Sequence, residues 1–62
     1  MPSKKEFGAA IRAARKALRM TQTELAKQLK VPQQAIARWE LGLHYPNYES
    51  MVRLRDILGL SA

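Results

Sequence analysis

The sequence contains no cysteine and no long apolar run. Without cysteine the chain has no disulfide framework, no thiolate nucleophile and no cysteine-based zinc site, so we expect a reducing, intracellular compartment. The longest apolar stretches are two or three residues, as at 9–11. They are far shorter than the ~20 residues that span a bilayer. We therefore expect a soluble, unprocessed chain without a membrane partner.

Acidic side chains are scarce and scattered. Five Asp and Glu stand against 11 Lys and Arg, which gives a net charge of +6 on 62 residues. The carboxylates fall on different segments, and the single histidine, His44, has no second histidine to share a metal or a proton with. No Gly-rich phosphate loop is present. The composition thus predicts no enzyme, no metal and no cofactor, and it favours a polyanionic partner.

The length fits one small domain, residues 1–62, whose core is small because short chains bury only about 60% of their unfolded surface. A hydrophobic content of 47% is too high for a disordered basic tail. The positive charge is concentrated in residues 1–19, which hold six basic side chains and one acidic one. The chain should therefore fold first and present one basic segment to its partner.

Capping signals and helical periodicity predict four helices, at about 4–19, 22–29, 33–41 and 48–58. Two capping boxes, Ser3 with Glu6 and Thr21 with Glu24, mark the first two starts, and Asn47 is a good N-cap for the last helix. The apolar stripe of the first helix consists of Phe7, Ile11, Ala14 and Leu18. Gly8 inside that helix indicates a close neighbour. No segment alternates with the period of a strand.

The second and third helices are separated by only about three residues, which predicts a steep crossing, as in a helix-turn-helix. Such a crossing buries Ile36 and Trp39, so we interpret Trp39 as core and not as a base-stacking platform. It leaves Gln33, Gln34 and Arg38 exposed.

The exposed side chains carry groups that can form hydrogen bonds with DNA bases. Gln pairs bidentately with adenine and Arg with guanine in the major groove, so Gln33, Gln34 and Arg38 are the candidate base readers. The N-terminus of the second helix offers free amides for phosphate. The candidate phosphate contacts are Gln22, Thr23, Lys27, Arg12 and Arg19.

The spacing of nine residues also resembles a known family. They are Gln22, Leu25, Ala26, Leu29, Val31, Ile36, Trp39, Glu40 and Gly42. They match the pattern of the Cro/repressor (XRE-type) helix-turn-helix family over about residues 6–60, with the motif at about 22–41. The start of the third helix, Gln33-Gln34-Ala35-Ile36, is most similar to lambdoid phage repressors of the 434 type.

This resemblance implies a four-helix, lambda-repressor-like DNA-binding domain that lacks the family's fifth helix. It implies a transcriptional regulator, expected to be a repressor, that binds duplex DNA as a homodimer, formed on DNA or before it, in the prokaryotic cytoplasm or nucleoid. It also implies a buried ion pair between Arg15 and Glu40.

The chain departs from the family pattern at several positions. Lys30 stands where a turn glycine is common, and Pro32 where a Ser or Thr cap is common. The loop after the third helix is apolar instead of basic, with Leu41, Leu43 and Tyr45. That loop supports an alternative function, an antitoxin or other module whose main partner is a protein. A membrane-active basic helix is a weaker alternative, because the first helix has few large apolar anchors.

Overall fold

The computed structural model describes residues 3–60, which form four helices and no strand. The helices are α1 (Lys4–Ala17), α2 (Gln22–Leu29), α3 (Gln33–Glu40) and α4 (Tyr48–Leu58). The predicted all-α class and the helix-turn-helix of α2 and α3 are confirmed. The predicted bounds of α2 and α4 are also confirmed, whereas α1 and α3 end before the predicted residues 19 and 41.

Side-chain caps fix where α1, α2 and α4 begin. The backbone N–H of Glu6 donates to the Ser3 hydroxyl at 3.1 Å, and the Ser3 N–H donates to the Glu6 carboxylate at 3.0 Å. Thr21 and Glu24 form the same reciprocal pair at 3.0 and 2.8 Å. The backbone N–H bonds that these carboxylates accept lower the pKa of both Glu6 and Glu24. Both predicted capping boxes are confirmed, as is the Asn47 cap of α4.

The ends of α1 and α2 have left-handed backbone conformations at residues other than glycine. Arg19 has φ 56° and Lys30 has φ 58°, so each carries a modest backbone penalty. Because α1 ends at Ala17, Leu18 leaves the apolar stripe and is 50% exposed, which corrects its predicted burial. Within residues 3–60 no side chain caps α3, whose first turn follows Pro32. The preset φ of proline starts α3 instead.

The core lies between α1 and the helix-turn-helix, and α4 closes it. It consists of Ile11, Leu25, Ala26, Leu29, Ile36, Trp39, Leu54 and Leu58. Trp39 is 7% exposed, which confirms that it is a core residue. Arg53 of α4 donates to the carbonyl of Leu29 at 3.3 Å, where the last carbonyls of α2 need a donor. This hydrogen bond attaches α4 to the C-terminal end of α2.

Backbone contact between α1 and α3 is close at Gly8. A Cβ on Gly8 would lie 2.8 Å from the carbonyl oxygen of Glu40 and closer still to that of Trp39. Both neighbours are backbone atoms, so they cannot rotate away as a side chain would. The predicted close approach at Gly8 is confirmed.

A buried ion pair joins α1 to the end of α3. The Arg15 Nε donates to Glu40 Oε2 at 2.7 Å and Nη2 donates to Oε1 at 3.0 Å. Its remaining nitrogen, Nη1, donates to the carbonyl of Met20 at 2.8 Å. The two side chains are only 10% and 4% exposed. Arg15 therefore satisfies the carboxylate bidentately and also ties down the turn before α2.

Hydrogen bonding decides the protonation of Glu40. Burial alone would raise the pKa of Glu40. Hydrogen bonds from Arg15 and Gln22, with the charges of Arg15 and Arg12, outweigh burial and hold this pKa below its ordinary value of 4.5. The carboxylate is therefore ionised at neutral pH and acts only as an acceptor.

We expect Gly8→Ala to destabilise the chain, although helix propensity alone favours alanine by about 1 kcal/mol. The added Cβ would push α1 away from the α3 carbonyls, so the free energy of unfolding should fall. Urea denaturation measures it. Ala10→Gly, at an exposed position of the same helix, is the control that reports propensity alone. A gain in stability for Gly8→Ala would contradict the close packing.

We expect Glu40→Ala to lower the free energy of unfolding at pH 7 by about 3–5 kcal/mol, because it leaves the Arg15 guanidinium buried without its partner. Since the folded pKa of Glu40 lies below 4.5, the stabilisation is complete above that value. It is lost as the pH falls through the folded pKa. Denaturation curves at neutral and acid pH should therefore show the difference from the parent chain shrinking in acid.

Glu49→Ala is the matched control for that prediction. Glu49 is also paired with an arginine, Arg53, at 2.8 Å, but its side chain is 73% exposed. Exposed pairs of this kind contribute less than about 1 kcal/mol. Equal losses for the two variants would mean that the Arg15–Glu40 pair is not specially stabilising.

Candidate nucleic-acid interface

The start of α3 carries the predicted base readers on its exposed side. Gln33, Gln34 and Arg38 are all exposed, whereas Ile36 and Trp39 of the same helix are buried. The polar side of α3 is therefore fixed in orientation by the core on its other side. Amide and guanidinium groups on such a face can donate to and accept from base edges.

The first residues of α2 and α3 are directly bonded to each other. Gln33 Nε2 donates to Gln22 Oε1 at 2.6 Å, and Gln22 Nε2 donates to Glu40 Oε1 at 3.0 Å. Gln22, predicted as a phosphate contact, is thus half-buried between the ion pair and a predicted base reader. This pairing was not predicted from the sequence. The signal for it in the sequence is that Gln22 and Gln33 are the first residues of two consecutive helices.

An open cleft of about 330 Å³ lies beside the start of α2. It is lined by Arg12, Arg15, Gln22, Ala37, Glu40 and Leu41. The structure therefore brings Arg12, a predicted phosphate contact, next to Gln22 and α3. Arg15 and Glu40 form an ion pair here, and Arg12 adds a further positive charge to the lining of the cleft.

The other predicted phosphate contacts lie on α2 and on the turn before it. Thr23 and Lys27 are exposed on α2, and Arg19 is exposed in the α1–α2 turn. Within residues 3–60 none of the three is hydrogen-bonded through its side chain to the Gln22–Gln33 pair. They are two exposed cations and an exposed hydroxyl on α2 and on the turn before it.

The apolar loop after α3 is partly open and partly anchored on α1. Leu41 is 67% exposed and Leu43 57% exposed. Tyr45 packs against Phe7 with ring centroids 6.0 Å apart, and the Lys4 ammonium lies 5.9 Å from the Tyr45 ring centre. Of the three residues in the predicted protein-contact loop, the two leucines are the more exposed.

No helix in the described part of the chain, residues 3–60, is both long enough and apolar enough to cross a bilayer. The same residues contain no group of three or more His, Cys, Asp or Glu side chains arranged to hold a metal ion.

Comparison with known proteins finds a similar protein and a matching family. The chain is similar to the HTH-type transcriptional activator BcrR of Enterococcus faecalis, with 44% identity over 46 residues. The alignment covers 74% of this chain and 22% of the relative, so the chain spans about a fifth of the relative's length. The profile of the Helix-turn-helix family matches residues 11–62. Because that match covers most of the sequence, the chain belongs to the Helix-turn-helix family.

Proposed function

We propose that the chain binds duplex DNA sequence-specifically and regulates transcription. In this proposal α3 enters the major groove while α2 crosses the sugar-phosphate backbone. The observation that carries it is the exposed amide pair at the start of α3, beside the N-terminus of α2. The function is one of binding, as a single DNA-binding domain, and it needs no cofactor.

Sequence is read by the side chains at the start of α3. Gln33 and Gln34 present amides that match the N7 acceptor and N6 donor of adenine, so the half-site should contain adjacent A·T pairs. Arg38 stands one turn after Gln34 and reaches a neighbouring base or phosphate. This assignment agrees with the similarity of α3 to repressors of the 434 type.

In this proposal affinity comes from exposed cations on α1, on α2 and on the turn between them. Arg12 borders the cleft at the α2 N-terminus, and Lys27 and Arg19 are exposed on α2 and the turn before it. Gln22 keeps a second amide N–H beyond the one given to Glu40, and Thr23 adds a hydroxyl in the first turn of α2. Such groups neutralise or donate to phosphate oxygens and position the domain.

We propose that two copies bind a two-fold operator. One small domain touches only a few base pairs, so useful specificity requires two half-sites about one helical turn (~34 Å) apart. The Cα extents of the chain are 26 × 21 × 20 Å, so two copies fit side by side at that spacing. A homodimer, formed on DNA or before it, follows.

Whether the chain represses or activates transcription depends on where its operator lies in the promoter. A repressor is our expectation from the sequence, whereas the printed name of the relative describes an activator. The same domain can block polymerase or recruit it. In either case it acts where DNA is, in the prokaryotic cytoplasm or nucleoid.

A second candidate function is binding to a protein partner, as an antitoxin does. The exposed Leu41 and Leu43, with Tyr45 beside them, favour it, because exposed apolar loops mark protein contacts. This function differs from the first in that tight binding would occur without DNA. The two functions can coexist in one chain.

We expect Gln33→Ala and Gln34→Ala each to weaken binding to the preferred duplex by about 1–3 kcal/mol and to change binding to random DNA little. The phosphate contacts remain in both variants, so only base reading is lost. Fluorescence anisotropy on the preferred and a scrambled duplex measures both affinities. Equal losses on the two duplexes would make these glutamines backbone contacts.

Affinity should fall steeply with salt, by about 0.9 log unit per log unit of salt for each phosphate neutralised. Lys27→Gln should weaken binding to all duplexes alike and lower this slope by about one unit. Arg55→Gln removes the same charge from an exposed site on α4 and is the control. An affinity of the parent chain that does not change with salt would argue against DNA as the partner.

A further inference from the structure

We propose that Lys30, at the end of α2, contacts a phosphate of the bound duplex, and that the chain keeps this lysine in an unfavourable backbone conformation for the sake of its charge. The phosphate contacts predicted from the sequence do not include Lys30. The inference rests on the proposed function and extends the phosphate contacts from the N-terminus of α2 to both ends of that helix.

Four residues in the described part of the chain have a positive φ angle. They are Arg19, Lys30, Gly42 and Gly59, with φ of 56°, 58°, 79° and 68°. The two that follow α3 and α4 are glycine, which adopts this conformation without steric cost. The two that border α2 are cations, whose Cβ makes the same conformation unfavourable. Glycine is therefore missing at the two left-handed positions beside the helix that is proposed to cross the sugar-phosphate backbone.

Gly59 provides an internal comparison for Lys30. It is the C-cap of α4 in the left-handed conformation, and a Cβ placed on it would meet nothing within 4 Å. Packing therefore does not require glycine at this position, and the backbone conformation is the reason that remains. Lys30 is the C-cap of α2 in the same conformation. Glycine would remove the backbone penalty there too, so the presence of a lysine needs another explanation.

Contacts within the fold do not supply that explanation. Lys30 is exposed, and among residues 3–60 its side chain forms no hydrogen bond and no ion pair. Its backbone N–H donates to the carbonyl oxygens of Ala26 and Lys27, which any residue except proline could do. A cation at a helix C-terminus also interacts with the helix dipole, but weakly at an exposed site. The fold thus leaves the charge of Lys30 largely unused.

The place of Lys30 in the chain suits a contact with the sugar-phosphate backbone. It lies three residues before Gln33, the first residue of α3 and a proposed base reader. If the start of α3 enters the major groove, the turn before it lies at the edge of the groove, where the phosphates are.

Arg19 repeats the same features at the other end of α2. It is exposed, it has the same backbone conformation, and within residues 3–60 its side chain has no hydrogen bond or ion pair. The eight residues of α2 span about 12 Å, so Arg19 and Lys30 can reach different phosphates.

The test compares substitutions of Lys30 in the whole chain. Lys30→Gly removes both the charge and the backbone penalty, and Lys30→Arg keeps both. Lys30→Asn removes the charge at a residue type that tolerates the left-handed conformation. Gly59→Lys is the matched control, because it adds the same charge and the same penalty at the end of α4. Circular dichroism establishes which variants are folded, and Arg55→Gln is the substitute control if Gly59→Lys is not.

Urea denaturation measures stability, and fluorescence anisotropy with a random-sequence duplex at several salt concentrations measures affinity. We expect Lys30→Gly to unfold at a higher urea concentration than the parent chain and yet to bind the duplex several-fold more weakly. The slope of log affinity against log salt should become shallower by about 0.9, the value for one phosphate. Lys30→Asn should lose the same slope, whereas Lys30→Arg and Gly59→Lys should keep the slope of the parent chain.

The outcomes separate the inference from the function beneath it. A parent chain that binds no duplex would overturn the proposed function itself. A parent chain that binds, with Lys30→Gly unchanged in affinity and slope, would overturn the inference alone. A steeper slope for Gly59→Lys would also overturn the inference, because net charge and not position would then decide affinity. So would a Lys30→Gly variant that is less stable than the parent chain, since the lysine would then serve the fold.

Discussion

The bidentate contact between the Arg15 guanidinium and the Glu40 carboxylate holds the arrangement of the first three helices. It joins the last turn of α1 to the last residue of α3, and through the Met20 carbonyl it also fixes the turn before α2. Burying two charges is costly unless they satisfy each other fully, and here every nitrogen of Arg15 has a partner. The position of the helix-turn-helix on α1 therefore depends on this pair of side chains together with the apolar core and the close contact at Gly8.

The same carboxylate connects structure with function. Glu40 Oε1 also accepts from Gln22, which accepts from Gln33 at the surface of α3. Among residues 3–60, eight buried hydrophobic residues form the core that fixes the shape of this small domain. A polar network that must be satisfied throughout adds a directional constraint that apolar packing alone lacks.

Much of the fold could be predicted because helix starts and buried positions leave short-range signals in the sequence. Both capping boxes, the Asn47 cap, the burial of Trp39 and the close contact at Gly8 follow from signals within a few residues of each other. Leu18 was placed wrongly because periodicity continued past the point where α1 stops, at a left-handed turn that no glycine marks. Helix ends without glycine or proline are hard to locate by pattern.

The candidate site was predictable residue by residue but not as a network. Residue types and helix positions pointed to Gln22 and Gln33, whereas the Arg15–Glu40 pair was implied by the family resemblance. The bonds among them span 11, 18 and 25 residues in sequence and depend on the crossing of three helices. Only the assembled fold brings these side chains within hydrogen-bonding distance.

An NMR titration with a selected duplex shows whether the start of α3 reads bases. We predict that the side-chain NH2 signals of Gln33 and Gln34 shift with the selected duplex and not with a scrambled one. The backbone signals at the start of α2 should shift with both, because phosphate contacts do not depend on sequence. Unchanged Gln33 and Gln34 signals in the presence of the selected duplex would mean that the start of α3 does not read bases.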